Sequence, residues 1–373
     1  MRYDLAVIGG GLAGTATAYY AARTGARVVL LERRDVNLGA SGSNAGSIHA
    51  QIPFDPFRHL GPAWARHYSE VLPLFARSIE LWAGLEEELG GSLGFVSKGG
   101  LMVAGSEAEM EMLREKAAIE RSAGLAIDLW DSDDLAERAP FLTEGYPGGA
   151  FCPIEGKADP FRVAPLFLRG AVKAGAELHR KAPVTSIAVE PGGFAIDAGG
   201  RTVHAARLVN AAGAQAAEVG AMLGLDVPLD AHPIQVSVTE KRPKLIDWLL
   251  YFTSEKLTLK QAAEGGFLIG GGWPARTGPH GPVVDHQSVL RNLALAQRLI
   301  PGLADVQVVR SWAAIVNGTE DWRPILGEVP AVPGFFLNLF PWMGFTAGPV
   351  VSKAIAAMAL GEIPEVDLAP FAP

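Results

Sequence analysis

Residues 3 to 32 read YDLAVIGGGLAGTATAYYAARTGARVVLLE, and the order of apolar run, glycine cluster, alanine-rich stretch and second apolar run decides the fold. Tyr3 to Ile8 is the kind of short apolar run that forms a parallel strand buried on both faces. Gly9, Gly11 and Gly14 follow as GxGxxG, and the stretch from Leu12 to about Thr24 is expected to be helical. Arg27 to Glu32 reads as a second strand, completing a βαβ unit whose crossover is right-handed and whose sheet is parallel. The glycines allow a tight turn, close approach of a pyrophosphate and tight helix packing. The helix start at Leu12 and Ala13 offers free N–H groups and a partial positive charge. Glu32, eighteen residues past Gly14 and followed by Arg33, stands where an acidic side chain grips ribose hydroxyls and disfavours a 2′-phosphate. The motif predicts a dinucleotide site and leaves FAD and NAD both open.

Working outward, 373 residues exceed one ordinary domain, so about two structural units are expected. Hydrophobic residues at 49% and 44 glycines suit an α/β enzyme rich in tight turns. A formal charge of -8 leaves no basic field for a phosphate backbone, so nucleic acid is not an expected partner. Cys152 is the single cysteine, which excludes an internal disulfide and a cysteine-ligated cluster, and no residue is assigned to a metal. Leu5 to Ala22 lacks a basic lead and is broken by glycines, and Phe335 to Leu360 is broken by Pro341, Gly344, Gly348, Pro349 and Lys353. Neither reads as an export signal or a membrane span, and a reducing cytoplasm is the expected setting.

From Gly61 to Leu89 apolar residues recur at helical steps, and core packing explains them. Gly100 to Val103, Gln235 to Thr239, Lys256 to Lys260 and Gly266 to Gly270 read as strands of a second, antiparallel or mixed sheet carrying a substrate pocket. Leu208 to Ala211 and Phe335 to Phe340 read as strands rejoining the first sheet. The expected class is therefore α/β plus α+β, a Rossmann-like dinucleotide-binding domain, an FAD-binding domain once the resemblance below is read, interleaved with a mixed-sheet substrate domain. Residues 1–50, 150–225 and 316–373 are expected to form the first, and residues 51–149 and 226–315 the second.

A second glycine-containing segment, ASGSNAG at Ala40 to Gly46, separates the cofactors. With VIGGGLAG it resembles the D-amino-acid oxidase superfamily, in the branch of glycine oxidase, sarcosine oxidase and the catalytic subunits of multi-subunit amine dehydrogenases. Further stretches extend the resemblance over nearly the whole chain: EGKADPFRVAPLFLRGAVKAGAEL from Glu155, KAPVTSI around Val184, LVNAAGAQA from Leu208, SWAAIVNGTEDWRPILG from Ser311 and PWMGFTAGP from Pro341. The resemblance implies FAD, held noncovalently because Cys152 lies in the wrong part of the chain to link it. It places Ala40, Ser41, Asn44, Ala45, Gly46 and Ser47 along the pyrophosphate and flavin, Val184 at adenine, and Ala212 and Gly213 nearby. Met343, Gly344, Phe345 and Thr346 open a helix whose N–H groups would face the negative charge of a reduced flavin edge.

The resemblance also implies hydride transfer from the carbon beside an amine nitrogen, with no dedicated base required. Relatives that act on simple amino acids carry arginines where this chain has Val316 and Trp342, so glycine or a plain D-amino acid held in the usual way is not expected. Trp312 and Trp342 are candidate apolar walls for a larger substrate. Lys256, Thr258 and Lys260 share one strand face, and Lys256, Lys260, Arg323 and His49 are the candidates to meet the substrate. These departures point toward the β-subunits of bacterial opine, proline or hydroxyproline dehydrogenases, and hence to partners bearing a second flavin and an iron-sulfur cluster. A stand-alone oxygen-using oxidase and an FAD-bearing relay or structural subunit are the alternatives.

Overall fold

The computed structural model describes residues 2–373. The first strand, Arg2–Ile8, is buried from Leu5 onward because its apolar side chains face helices on both sides of the sheet. It pairs in parallel with Val28–Leu31 on one side and with Arg201–Asn210 on the other. Glu177–His179 extends the sheet in parallel beyond Val28–Leu31, and Phe335–Leu339 lies parallel against the end of Arg201–Asn210. The helix Leu12–Arg23 crosses between the first two strands, in agreement with the reading of the glycine turn. The strands expected near 208 and 335 thus do rejoin this sheet.

A second, eight-stranded sheet runs in the order Val308–Gly318, Asp230–Lys241, Gly266–Gly270, Leu257–Gln261, Leu249–Phe252, Gly100–Ala104, Gly148–Cys152, Asp128–Asp131. It is mixed: the pair Leu249–Phe252 with Gly100–Ala104 is parallel and the others are antiparallel. The strands Gly148–Cys152 and Val308–Gly318 belong wholly to this sheet, and they run through residues 150 and 316, where the sequence suggests a division.

The helical stretch expected from Gly61 begins earlier, at Phe54, and bends at Gly61, whose φ of 77° interrupts the helix. Leu72–Leu89 follows and packs against the last long helix, Gly344–Ala359. That helix also lies against Leu12–Arg23, and a buried polar network fastens the pair. Asn338 Nδ2 donates to Thr17 Oγ1 at 3.0 Å and to Ser352 Oγ at 3.1 Å, and Ser352 Oγ donates to the Ala13 carbonyl at 3.1 Å. Each buried polar atom gains a partner, so the two helix starts are held in fixed relation. A side chain on Gly348 would press on Leu12, with its Cβ 2.9 Å from a Leu12 methyl, so glycine sets how closely the helices approach.

Candidate active site

Both fastened helices open onto one cleft of about 650 Å³. Gly9, Gly11, Leu12, Ala13, Glu32, Arg33, Ala40, Ser41 and Asn44 line it, and so do Val184, Ala212, Gly213, Gly344 and Phe345. Gly14 lies behind the turn, where a Cβ would overlap the Gly9 carbonyl oxygen, and Gly9 adopts a φ of 112° against the Ala211 carbonyl. Ser41 Oγ accepts the Leu12 N–H at 2.9 Å, and Glu32 accepts the N–H groups of Gly10 and Arg34, each at 2.7 Å. Ser41 is thus the one side chain seen to satisfy a donor at the Leu12 helix start; the N-cap residues Gly11 and Met343 lend none, and neither helix has an acidic residue in its first turn. Free N–H groups and partial positive charge therefore face the cleft at two points, matching a ligand with an anionic centre and an anionic far edge.

A second chamber of about 290 Å³ opens beside the cleft. Ala40, Ser43, Asn44, Ala314, Val316, Trp342 and Phe345 line both. The chamber is built between the Ser47–Ile48 segment, the second sheet and the Gly344 helix start, and Trp312 Nε1 joins sheet to loop by donating to the Ser43 carbonyl at 2.7 Å. Ala45, Ser47, His49, Lys256, Thr258, Trp312, Met343 and Thr346 line it too. Trp342, at a φ of 57°, stacks on Trp322 with ring centroids 4.6 Å apart. Trp322 has a φ of 69°, so both rings sit on backbone that rarely carries a side chain and form a stiff apolar wall.

A family model, DAO, FAD dependent oxidoreductase, matches residues 4–358, which span this cleft and chamber. The chain belongs to the DAO family of FAD dependent oxidoreductases. It is 29% identical to glycine oxidase of Geobacillus kaustophilus over 377 residues, covering 99% of this chain and 96% of that protein. It is 28% identical to an opine oxidase subunit of Rhizobium meliloti over 338 residues, covering 90% and 87%. The crystal structure of the Geobacillus glycine oxidase superposes with a TM-score of 0.86 at 27% identity, covering 100% of this chain and 98% of that one. L-proline dehydrogenase from P. horikoshii, at 22% identity over 96% and 93%, shares the fold with a TM-score of 0.82.

This flavoprotein's FAD thus has a fitting cradle: a glycine turn that side chains would fill, two helix starts whose N-cap residues lend no side chain, and the acidic Glu32 on the cleft wall. Among the residues proposed from sequence, Gly14 and Gly46 support the cleft from behind; a Cβ on Gly46 would overlap the Ala158 carbonyl. Cys152 is buried and free, and burial pushes its thiol pKa up, which keeps it an unreactive core residue.

Arg323 requires a correction as a substrate contact. It lies outside both cavities, buried, with Nη2 donating to Glu70 Oε2 at 2.7 Å and to the Pro370 carbonyl at 2.9 Å, and its guanidinium over Phe371. Its work is to clamp the chain's last residues to His67 and Glu70, at the end of the helix Phe54–Tyr68 and the turn that follows it. Lys260 shares a face with Lys256 and Thr258 as the alternation requires, but it sits deeper than the chamber wall. Its Nζ donates to Ser47 Oγ at 2.5 Å, and burial holds its pKa well below the usual lysine range. Lys256 stays at the mouth, 3.1 Å from Asp55, and is the only lysine or arginine among the described residues lining the chamber.

Sequence reasoning missed Tyr251 and Glu155. Tyr251 lines the chamber and touches His49, and Glu155 lies buried behind it. The WLLYF run that contains Tyr251 is a strand signal; the contact with Glu155, 96 residues away, has none.

Burial and the neighbouring Lys260 push the His49 pKa down to about 3. Below the ordinary value of 6.5 the unfolded chain therefore binds a proton at His49 that the folded chain refuses until about pH 3. This residue's contribution to stability is fully present above pH 6.5 and is lost as pH falls through that window. Chemical unfolding followed from about pH 4.5 to about pH 7.5 is expected to show a shallower pH dependence for His49→Gln than for the parent. Equal slopes would assign the acid lability elsewhere.

Proposed function

We propose that the protein oxidises a secondary amine or N-substituted amino acid at the junction of cleft and chamber. When bound, FAD supplies the two-electron acceptor for a hydride from the carbon beside nitrogen. The observation that carries the reading is the chamber itself: apolar tryptophan walls and a half-buried histidine held neutral surround the place where the two cavities meet, and a single cation, paired with Asp55, stands at the mouth. Desolvation there favours the neutral, hydride-donating form of an amine. The matched glycine oxidase and opine oxidase subunit supply the amine chemistry of the reading.

Val316 and Trp342 face the junction, so a substrate carboxylate is met farther out, by Lys256, and the substrate is correspondingly extended. His49, Trp312 and Trp342 shape the pocket, and the cofactor is held noncovalently by the cleft residues named above. The interleaved division into an FAD domain and a substrate domain is part of this reading, with the strand Val308–Gly318 assigned to the substrate side. Electrons pass on to partner subunits, a second flavoprotein and an iron-sulfur protein, in the reducing cytoplasm. Among the described residues no helix is long and apolar enough to cross a membrane.

The test is anaerobic addition of sarcosine, proline, iminodiacetate and N-carboxyalkyl amino acids to the FAD-loaded protein. Loss of the flavin's visible absorbance with at least one of them is expected. An unchanged spectrum across the panel, with partner subunits present, would assign the chain a relay role instead. Full-length similarity to a glycine oxidase supports a second reading, a stand-alone oxidase, which stoichiometric peroxide from the isolated chain in air would establish. For a carboxylate-bearing substrate, Lys256→Ala is expected to raise KM about fivefold, equivalent to about 1 kcal/mol at a partly exposed site, while kcat changes less than about twofold. A fall in kcat at constant KM would place Lys256 in another role.

A further inference from the structure

Behind the chamber wall a hydrogen-bonded chain leads from His49 into the protein. His49 Nδ1 lies 2.7 Å from the Tyr251 hydroxyl, and that hydroxyl donates to Glu155 Oε2 at 2.9 Å. Glu155 is fully buried, and its other partners are donors as well: Ala50 N–H at 2.7 Å and Gln51 N–H at 2.9 Å on Oε1, and Gln51 Nε2 at 3.1 Å on Oε2. All four partners are neutral, so the carboxylate has no cation of its own. A tyrosine hydroxyl has one proton, and here Glu155 takes it; the hydroxyl must then accept from His49. That places the imidazole proton on Nδ1 and leaves Nε2 as a bare acceptor on a side chain that lines the chamber.

We propose that His49, Tyr251 and Glu155 form a proton relay that takes a proton from the substrate's ammonium group and stores it on the buried Glu155 carboxylate. The proposal rests on the amine reading of the chamber. In the step, an N–H bond of the ammonium breaks and its electron pair stays on the substrate nitrogen, while His49 Nε2 gains the proton. His49 Nδ1–H passes to the Tyr251 oxygen, and the Tyr251 proton passes to Glu155 Oε2. One proton enters and one carboxylate is neutralised; histidine and tyrosine end uncharged, with the chain of donors reversed. His49 would touch the substrate, and Tyr251 and Glu155 act through it.

The groups facing the relay are consistent with this direction of flow. Lys116 and Glu120, from the helix Glu107–Ser122, neutralise each other at 2.5 Å. Cys152 is held in its neutral form, and Lys260, with Lys157 beyond it, favours the neutral form as well. His49 holds a proton poorly, while burial raises the pKa of Glu155 despite its four donors, so the imidazole conducts and the carboxylate retains.

Two measurements on FAD-loaded protein test the relay, using Tyr251→Phe, which keeps the ring and removes only the hydroxyl. In nitrogen-15 spectra of histidine-labelled protein, with His49→Gln identifying the signal, His49 is expected as the Nδ1–H tautomer, and that preference is expected to vanish in Tyr251→Phe. In anaerobic reduction by the active member of the amine panel, the acid limb of the rate profile is expected to move up by at least about one pH unit in Tyr251→Phe. The rate then falls about tenfold near neutrality and less than about twofold well above the limb. A uniform loss of rate across pH, or an Nε2–H tautomer in the parent, overturns the relay. Reduction by none of the amines overturns the amine reading, and with it the proton transfer, even where the tautomer shows the chain of hydrogen bonds to be present.

Discussion

A Gly14→Ala protein is expected to come off purification colourless and to take up added FAD at least about a hundredfold more weakly than the parent, a loss of about 2.7 kcal/mol or more. The added methyl would overlap the carbonyl oxygen of Gly9, and the Leu30 side chain lies 3.5 Å away on its other flank. Gly9 has little freedom to adjust, since it holds a φ of 112° and the Ala211 carbonyl closes the space beside its Cα, where a Cβ would overlap the oxygen. The turn is thus gripped between the helix it starts and the strand Arg201–Asn210, and relief requires moving the helix N-terminus that faces the cleft. Overpacking of this kind also lowers stability, by about 1–3 kcal/mol. The control is Gly25→Ala: Gly25 has a φ of 89° but open space around it, so strain without loss of FAD is expected. Wild-type FAD affinity in Gly14→Ala would remove the glycine turn from the cofactor site.

The second large effect is on stability. Lys116 and Glu120 are both fully buried and 2.5 Å apart, and Glu120 Oε1 also accepts the Ile52 N–H at 2.7 Å. Glu120 Oε2 has no partner, so the carboxylate already depends on Lys116 for its compensation. Lys116→Met is expected to cost about 3–5 kcal/mol, because the desolvated carboxylate is left behind. Adding Glu120→Gln should recover much of that, since an amide tolerates burial better and can keep the Ile52 bond. Midpoints of chemical unfolding check both; equal stability of Lys116→Met and the parent would show that the fold does not depend on the pair. The pair also supports the site, because Ile52, Gln51 and Ala50 carry the N–H groups that hold Glu120 and Glu155.

The cleft side of the candidate site is legible in the sequence because its physics is local. A strand, three glycines, a helix start and an acidic residue follow one another within about thirty residues, and each has a short-range reason to be where it is. The strand face shared by Lys256, Thr258 and Lys260 is likewise legible, since alternation is a local property. What alternation does not supply is depth: Lys260 lies under Ser47, 213 positions away, while Lys256 reaches solvent and Asp55. Arg323 is misread for the same reason, because its partners Glu70 and Pro370 are distant in sequence and no spacing announces them. Tyr251 and Glu155 stand in ordinary local contexts, and only the packing of the second sheet against the Ser47–Gln51 segment brings them to His49.

The chemistry depends on FAD spanning the cleft with its ring at the junction with the chamber, and a crystal structure of the FAD-loaded protein tests that most directly. The expected density has the ribose at Glu32, the pyrophosphate on the Gly9 to Gly14 turn, and the ring beside Gly344 and Trp342, facing His49. A ring lying anywhere else, or a nucleotide bound away from the glycine turn, would contradict it.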